Sequence, residues 1–437
     1  SGQSKLPVGS TVKDSSGNAI EITDALEWKT TTKVTLKTET DSAATEGVAT
    51  IDGTDKYATL EAAIAAADEN STVTLLADVY TPEKTYVVSK NLTIDLNGKT
   101  VTGSGYDGVF QIDGKDVKVL IENGNVVAVE QSGSAGKYTM AVWACAENCE
   151  VTLQGLNVSQ NIKHTDDKQM DMIYASKGTI IIDSGFFKSG TPAWTLNCKD
   201  AAFKDGSAKI IVNGGEFVGF DPRNNKAEGT GTSFVADGVG VDYGAETSTF
   251  TAKANMTAQL LDASGNSVKA YTSLADAITA AEAGQTVTLL DNVTDNIEIA
   301  TDKNFTLDLN GHTINGGTGT AKATITNYGT VTITDSSTAK TGTIKRDDSG
   351  TVGETSYYVI RNIGTMTIEQ ANVTNNSGYR KTNPSGSMVG SSLICNGGDV
   401  GVTLTINGGT FTQMNFLVVK NDALGTLNVT GGTFTSS

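Results

Sequence analysis

The chain has 437 residues, is rich in Gly, Thr, Ala, Asn, Asp and Val, and contains only 5 Pro and 2 His. This length is sufficient for two or three domains with buried cores. The formal net charge of −17 argues against nucleic acid and against an anionic membrane surface as partners. The same charge suits a soluble, monomeric extracellular protein. No apolar run approaches the roughly 20 residues that cross a membrane, so we expect no membrane insertion.

The first region of the chain, residues 1–52, lacks the pattern that fills the remainder. Residues 33–38 (KVTLKT) alternate between apolar and polar side chains, as a half-buried strand does, and residues 48–51 have a similar character. We therefore predict a small N-terminal β element over residues 1–52.

Residues 57–103 contain a sequence that the chain uses a second time from Tyr271. The first copy reads YATLEAAIAAADENSTVTLLADV and then NLTIDLNGKTVTG, and the second reads YTSLADAITAAEAGQTVTLLDNV and then NFTLDLNGHTING. Each copy places an N-cap residue, Thr59 or Ser273, before apolar residues at helical spacing. After the helix the apolar spacing changes to two, which is typical of strands. Each copy therefore predicts a short helix that caps a stack of strands.

Short apolar runs recur in groups of three after both copies. Each group occupies roughly 23 to 38 residues, a period that indicates a solenoid. Leucine-rich repeats, helical repeats and β-propellers do not fit, because their motifs, helical periodicity or four-strand groups are missing. Three short strands per turn, with Asn and Gly at the corners, predict a parallel β-helix with turns about 4.8 Å apart. We assign residues 53–225 to a first module, 226–267 to a β-rich connector and 268–437 to a second module.

The corner sequences VNGGEF (212–217), INGGTF (406–411) and VTGGTF (429–434) reuse one turn in both modules. Together with the LTIDLNGKTVTG opener, they resemble right-handed parallel β-helix domains of the pectate-lyase-like superfamily. The resemblance is strongest to large exported surface proteins of gut and other anaerobic bacteria, and it covers the two modules. It implies an all-β fold of two tandem right-handed parallel β-helices. It leaves the function open, because this fold carries lyases, hydrolases and non-catalytic stalks.

Two long polar segments follow the third strand of a three-strand group, one in each module. Residues 159–171 (SQNIKHTDDKQMD) and 375–391 (NNSGYRKTNPSGSMVGS) therefore occupy equivalent positions, and solenoids often bind ligands on one such face. We predict that both segments are contact sites, with solvated insertions that bind nothing as the alternative. Their candidate binding residues are His164, Asp166, Asp167, Asp171, Tyr379, Arg380 and Lys381.

The resemblance also implies enzyme motifs, and these are missing from the expected places. A polygalacturonase-like hydrolase would place NTD, DD, GHG and RIK motifs on successive turns, whereas His312 stands in an NGHT turn of the opener. A pectate-lyase-like site would need several carboxylates for Ca²⁺ and an Arg or Lys base on an outer strand face. No outward carboxylate series accompanies the arginines of this chain, so Asp166 with Asp171 is the best remaining acid pair.

Cys145 and Cys149 lie four residues apart, while Cys198 and Cys395 stand alone. The spacing does not fit a zinc site, and His164 is the only histidine nearby. Buried, unreactive thiols are one interpretation, and a Cys145–Cys149 disulfide in an exported protein is the other. We predict no metal and no other cofactor.

These observations predict a non-catalytic bacterial protein, secreted or on the cell surface. It would act in adhesion, bind a host or environmental glycan or protein, or serve as a stiff spacer. A lyase or glycoside hydrolase for acidic polysaccharide is the alternative, and ice binding by outward Thr rows is a minor one that uneven turns oppose. Ser1-Gly2 is typical of a cleaved tag, so we expect the export signal and anchor to lie outside this sequence.

Overall fold

The chain divides into two compact units, Ser1–Glu46 and Gly47–Ser437. In the first unit, one antiparallel strand pair is described, β1 (Val12–Lys13) with β2 (Ala19–Ile20). The strand predicted at 33–38 lies outside the described residues. The computed structural model describes residues 47–130, 139–162, 170–225, 228–229, 231–316, 322–346, 358–375, 392–398, 400–413 and 417–436, and the short strands at 12–13, 19–20, 381–382 and 388–389.

The second unit begins with a stack of mostly parallel strands over residues 47–253, termed the first stack. Its helices are α1 (Leu60–Ala66) and α2 (Asp200–Asp205), with a 3₁₀ turn at Pro192–Trp194. Its strands are β3 (Ala49–Ile51), β4 (Asp55–Tyr57), β5 (Ser71–Leu75), β6 (Val79–Thr81), β7 (Tyr86–Val88), β8 (Leu92–Asp95), β9 (Thr100–Ser104), β10 (Phe110–Ile112), β11 (Lys118–Val129), β12 (Val142–Ala144), β13 (Glu150–Gln160), β14 (Ile173–Ala175), β15 (Gly178–Ile182), β16 (Gly185–Ser189), β17 (Leu196–Cys198), β18 (Ala208–Val212), β19 (Gly215–Val218), β20 (Gly240–Gly244) and β21 (Thr249–Lys253).

The second stack covers residues 258–436 and has one described helix, α3 (Leu274–Ala280). Its strands are β22 (Ala258–Leu261), β23 (Ser267–Tyr271), β24 (Thr286–Leu289), β25 (Val293–Thr294), β26 (Ile297–Ile299), β27 (Asn304–Asp308), β28 (Thr313–Gly316), β29 (Ile325–Asn327), β30 (Thr330–Thr334), β31 (Thr343–Arg346), β32 (Ile360–Asn362), β33 (Thr365–Ile368), β34 (Asn372–Asn375), β35 (Lys381–Thr382), β36 (Met388–Val389), β37 (Ile394–Asn396), β38 (Thr403–Ile406), β39 (Thr410–Gln413), β40 (Val419–Asn421), β41 (Thr426–Val429) and β42 (Thr433–Ser436).

The chain passes through three sheets in a fixed order within each stack. In the second stack, sheet 1 runs β26-β29-β32-β37-β40, sheet 2 runs β24-β27-β30-β33-β38-β41, and sheet 3 runs β25-β28-β31-β34-β39-β42, all with parallel neighbours. In the first stack, sheet 1 runs β7-β10-β12-β14-β17. There β11 and β13 are long enough to run through sheets 2 and 3 without a break. The prediction of an all-β fold with stacked parallel strands is therefore confirmed.

The two predicted helices open their stacks in the same way. Thr59 Oγ1 accepts a hydrogen bond from Ala62 N (3.1 Å), and Ser273 Oγ accepts one from Asp276 N (3.3 Å), so both N-cap predictions are confirmed. Antiparallel strands lie beside each helix, with β3 between β4 and β5 in the first stack and β22 between β23 and β24 in the second.

A lysine also caps the C-terminal end of each opening helix. Lys90 Nζ donates to Ala65 O (2.9 Å) and Ala67 O (2.6 Å), and Lys303 Nζ donates to the carbonyl oxygens of Thr279 (2.6 Å) and Ala281 (3.2 Å). The last carbonyls of a helix have no partner within it, and a cation there also complements the helix dipole. The two copies of the internal repeat therefore share this long-range contact as well as their sequence.

Alternation of apolar and polar residues along the strands gives each stack its own core. One cluster of buried apolar side chains extends from Ala49 to Ala252 and a second from Ala258 to Phe411. The connector predicted at 226–267 contributes to both stacks, because β20 and β21 continue the first while β22 opens the second.

Buried Gln259 joins the two stacks at this junction. Its Oε1 accepts from Val241 N (2.7 Å), and its Nε2 donates to Val241 O (2.9 Å) and Lys269 O (3.1 Å). Asp242 Oδ1 adds a second link by accepting from Ala270 N (2.8 Å). Since a buried amide with satisfied partners holds one geometry, the junction is specifically bonded rather than a loose linker.

Candidate functional site

The corner between sheet 3 and sheet 1, termed the loop edge, carries the long segments predicted as contact sites. In the first stack it lies between the end of β13 at Gln160 and the start of β14 at Ile173. In the second stack it lies between the end of β34 at Asn375 and the start of β37 at Ile394, with the antiparallel pair β35 and β36 between them. The two segments therefore follow equivalent strands.

Buried polar side chains concentrate along the loop edge. A polar group is costly to bury unless it is hydrogen-bonded, and several of these side chains bond residues of neighbouring turns to one another. Gln160 Oε1, for example, accepts from Gly190 N (3.1 Å), and Thr324 Oγ1 donates to Lys345 O (2.9 Å). The buried polar residues of this edge are Ser104, Thr139, Gln160, Asp171, Ser189 and Thr195 in the first stack, and Thr324, Arg346, Asn375, Ser392 and Gln413 in the second.

Asp171 is the predicted site residue whose side chain the structure describes. It is only 6% exposed, and Asn197 Nδ2 donates to its Oδ1 (3.1 Å). Burial raises the pKa of this carboxyl to about 6; the hydrogen bond from Asn197 acts in the opposite direction, and the charge of Glu228 raises the pKa further. The side chain is therefore not a solvated loop charge, and it can carry a proton near neutral pH.

Glu228 is a second carboxyl group with a partner on β17, and no sequence motif singled it out. Its Oε1 accepts a hydrogen bond from Cys198 N (2.6 Å), and burial raises its pKa. Asn197 and Cys198 are adjacent residues of β17, so one strand supplies the partner of each carboxyl group. No local motif could have indicated this arrangement, because the partners are separated by 26 and 30 residues.

The other predicted site residues contribute no described side chain. His164, Asp166 and Asp167 belong to 163–169, and Tyr379 and Arg380 to 376–380, outside the described residues. Lys381 begins β35, where its backbone pairs with Val389. The binding roles of these residues therefore stay predictions.

Arg346 ends β31 and is fully buried at the loop edge of the second stack. Its Nη1 donates to Lys322 O, and it lies in register between Gly316 and Asn375. A lyase-type base must stand on an outer strand face to reach a bound polysaccharide. The inward direction of Arg346 therefore excludes it from that role.

The opposite corner, between sheets 1 and 2, carries a ladder of asparagines in the second stack. Asn327 Nδ2 donates to Asn362 Oδ1 (2.8 Å), Asn362 Nδ2 to Asn396 Oδ1 (2.8 Å), and Asn396 Nδ2 to Asn421 Oδ1 (2.6 Å). The first three are fully buried and also bond backbone groups of the corner, as Asn362 Nδ2 does with Thr403 O (2.9 Å). We term this corner the ladder corner. Its role is structural, because its side-chain amides are hydrogen-bonded to one another.

The four cysteines are free thiols in the structure, so no Cys145–Cys149 disulfide is formed. Burial raises the pKa of the Cys145 thiol to about 12, and it raises the pKa values of Cys149, Cys198 and Cys395 as well. A thiol must ionise to react as a nucleophile. These thiols are therefore mainly protonated at neutral pH.

Outward threonines form two columns on sheet 2 of the second stack. One column contains Thr330, Thr365, Thr403 and Thr426, and the other contains Thr306, Thr332, Thr367 and Thr405. The strands that carry them pair without a register shift from β27 to β41. The uneven lengths of the turns therefore leave the register of these columns unchanged, and whether the columns form a flat lattice stays a prediction.

Within the described residues, no three His, Cys, Asp or Glu side chains are grouped so that they could hold a metal ion. No helix in the same part of the chain has the length and apolar character needed to cross a membrane. Comparison with protein-family models, with curated proteins and with solved structures gives no match.

Proposed function

We propose that each stack is a right-handed parallel β-helix of the kind that the sequence predicts. Three features support this: the fixed order of the three sheets, the parallel pairing of consecutive turns, and a ladder of stacked amides at one corner. In-register Asn side chains stack in the same way in other parallel arrays of strands.

We further propose that this chain is a non-catalytic bacterial protein, secreted or on the cell surface. It would bind a glycan or a protein through its loop edge. The observation that carries the proposal is the shared position of the two long loops. In both stacks they follow the end of a sheet 3 strand, Gln160 or Asn375, and buried polar side chains line that edge. Variable loops on a rigid scaffold are a common arrangement for recognition.

Two buried ionisable groups of this edge, Asp171 and Arg346, are held by structural partners. Asp171 is buried and bonded to Asn197, and the guanidinium of Arg346 points inward to Lys322 O. A catalytic acid or base must come within hydrogen-bond reach of a substrate proton. Both groups instead have structural partners.

A glycan-array screen of the intact chain tests this proposal. We expect binding to at least one glycan class, with a loss of about tenfold or more in affinity after Tyr379→Ala or Arg380→Ala, because aromatic and arginine residues dominate binding energy at interfaces. Tyr328→Ala is the matched control, since Tyr328 is an exposed tyrosine at the ladder corner. Equal losses in all three variants, or unchanged binding in the two loop variants, would contradict a site on the loop edge.

A glycan-cleaving enzyme is the second candidate, and the pair Asp171 and Glu228 favours it. Both carboxyl groups have raised pKa values, and Asp171 can carry a proton near pH 6, as a general acid must. Assays of reducing ends and of unsaturated products on polygalacturonate and on neutral polysaccharides test it. Product that disappears in Asp171→Asn and Glu228→Gln would establish this function in place of pure binding.

Ice binding remains a minor proposal, now supported by the unbroken threonine columns of sheet 2. It predicts inhibition of ice recrystallisation that Thr332→Lys and Thr367→Lys abolish. Ice growth that the wild-type chain leaves unchanged would eliminate it.

A further inference from the structure

The outer face of sheet 3 in the first stack, termed the outer track, is separate from the loops considered above. Its outward side chains form two rows across successive strands. The row nearer sheet 2 contains Thr100, Asn125, Asn157, Phe186, Glu216 and Thr251. The row nearer the loop edge contains Tyr80, Thr102, Val127, Ser159 and Lys188.

An exposed aromatic ring stands near each end of the outer track. Tyr80 on β6 is 76% exposed, and Phe186 on β16 is 36% exposed. Four steps between neighbouring strands separate β6 from β16, by way of β9, β11 and β13, so the rings lie about 19 Å apart along the stack. Single exposed rings are common on protein surfaces, and what distinguishes these two is that they stand on one outward face with hydrogen-bonded polar side chains between them.

Polar side chains occupy the middle of the track and are already held in position. Asn157 Nδ2 donates to Asn125 Oδ1 (3.0 Å), and Asn125 Nδ2 donates to Thr100 Oγ1 (3.3 Å). This chain of hydrogen bonds fixes the orientation of the amides while leaving further donor and acceptor positions toward solvent. Preorganised amides and hydroxyls between two aromatic platforms suit a ligand with many hydroxyl groups.

At the Phe186 end the track deepens into a groove of about 510 Å³. Lys188 and Glu216 flank the ring, and Thr249 and Thr251 of β21 form the far wall. The groove is open to solvent and does not enclose a ligand, so it suits one unit of a longer chain that runs along the track. The comparable depression on sheet 2 lacks an aromatic ring, and its Lys118 and Glu150 pair with each other (Nζ–Oε1 3.2 Å).

We infer that the outer track binds a neutral oligosaccharide, with sugar rings stacked on Phe186 and Tyr80 and hydroxyl groups bonded to Asn125, Asn157 and Glu216. This inference rests on the proposed function and adds a ligand class and a second site to it. A polyuronate fits less well, because the chain carries a net charge of −17 and the groove lining has one lysine, Lys188, balanced by one glutamate, Glu216. A peptide strand fits less well too, because the backbone of β13, β16 and β19 is paired on both sides.

Calorimetric titration of the intact chain with cellohexaose and mannohexaose, and with their trimers, tests the inference. One of the hexamers should bind at least about tenfold more tightly than its trimer, because only the hexamer reaches both rings. Phe186→Ala should weaken hexamer binding at least about tenfold, Phe186→Tyr should restore it, and Tyr80→Ala should reduce the hexamer to the affinity of the trimer. Tyr328→Ala should leave binding unchanged. Both rings are exposed, so the variants should keep the thermal midpoint of the parent.

Several results would overturn this inference. The first is that neither hexamer binds. The second is that the Phe186→Ala and Tyr80→Ala variants bind as the wild type does. The third is that the chain prefers hexagalacturonate or an aromatic peptide. The same variants distinguish failure of this inference from failure of the proposed function. If glycan binding is lost in Tyr379→Ala and kept in Phe186→Ala, the loop edge is the site and the outer track is not. If the opposite holds, the track binds the ligand and the loops do not.

Discussion

The two stacks begin with the same helix and turn but build their corners from different chemistry. At the corner between sheets 1 and 2, the second stack places Asn327, Asn362, Asn396 and Asn421 in register. The equivalent residues that end the sheet 1 strands of the first stack are Val88, Ile112, Ala144, Ala175 and Cys198. Hydrogen-bonded amides and close-packed apolar side chains thus stabilise the same corner of the same kind of stack.

The loop edges differ as well. The first stack buries the carboxyl group of Asp171 at this edge, and the second buries the guanidinium of Arg346. The two stacks therefore share the helix and turn with which they begin, whereas the side chains at the corners of the later turns have diverged. Function therefore cannot be carried from one stack to the other by position alone.

The largest expected effect comes from breaking the ladder at its centre with Asn362→Leu. This change leaves Asn396 Oδ1, Thr403 O and the N–H of Gly364 without their partner, so it should reduce the free energy of unfolding by about 3–5 kcal/mol. Chemical denaturation measures it. Asn421→Leu is the matched control at the exposed end of the same ladder and should cost less than about 1 kcal/mol. Equal costs for the two variants would contradict the account of the ladder.

A second change separates the two stacks at their junction. Gln259→Leu removes the partner of Val241 N–H and Val241 O, which are buried between the stacks, and should cost about 2–4 kcal/mol. We also expect one unfolding transition in the wild type and two in the variant, by calorimetry. Gln154→Leu, on an exposed outward position, should change stability by less than about 0.5 kcal/mol. A single transition with unchanged midpoint in Gln259→Leu would show that the amide does not couple the stacks.

The acid at the loop edge of the first stack predicts a dependence of stability on pH. The pKa of Asp171 is raised to about 6 from an ordinary value of 3.8, so the folded state binds this proton more tightly than the unfolded state. Its contribution is fully present below about pH 4 and is lost as the pH rises through about 6. Relative to Asp171→Asn, the wild type should lose roughly 2–3 kcal/mol of unfolding free energy between pH 4 and pH 7. Parallel pH profiles for the two proteins would contradict a buried, protonated Asp171.

The smallest expected effect on stability concerns the lysine that caps the opening helix of each stack. Lys90→Met and Lys303→Met each remove a cation from the carbonyl end of an opening helix, and both should cost about 0.5–1 kcal/mol. Thermal unfolding of the two variants side by side measures it. Costs that differ by several-fold would mean that the two openers are alike in sequence but not in energetics.

The sequence predicts the path of the chain well because that path depends on local signals. Thr59 and Ser273 are helix caps read from neighbouring residues, and period-two alternation locates the strands. The same alternation could have placed Arg346 inside, since it follows buried Ile344 by two residues in β31. The ladder asparagines also have a signal, Asn-x-Gly at Asn327 and Asn362, but the uneven lengths of the turns conceal the repeat.

The chemistry of the loop edge could not be predicted in this way. The hydrogen bond from Asn197 to Asp171 and the effect of the Glu228 charge on the pKa of Asp171 arise only after the chain has completed further turns. The outer track likewise depends on strand register, because Tyr80 and Phe186 are 106 positions apart in the chain and share a face only once five strands are aligned. Long-range pairing of this kind has no local sequence signature.

The central claim is that this chain binds a glycan without cleaving it. The most direct test incubates the wild-type chain with each glycan that it retains on an array, and measures binding and released product in the same samples. The account predicts saturable binding and no increase in reducing ends or in absorbance of unsaturated sugars over the protein-free control. Product that accumulates with time, and that Asp171→Asn abolishes, would contradict it.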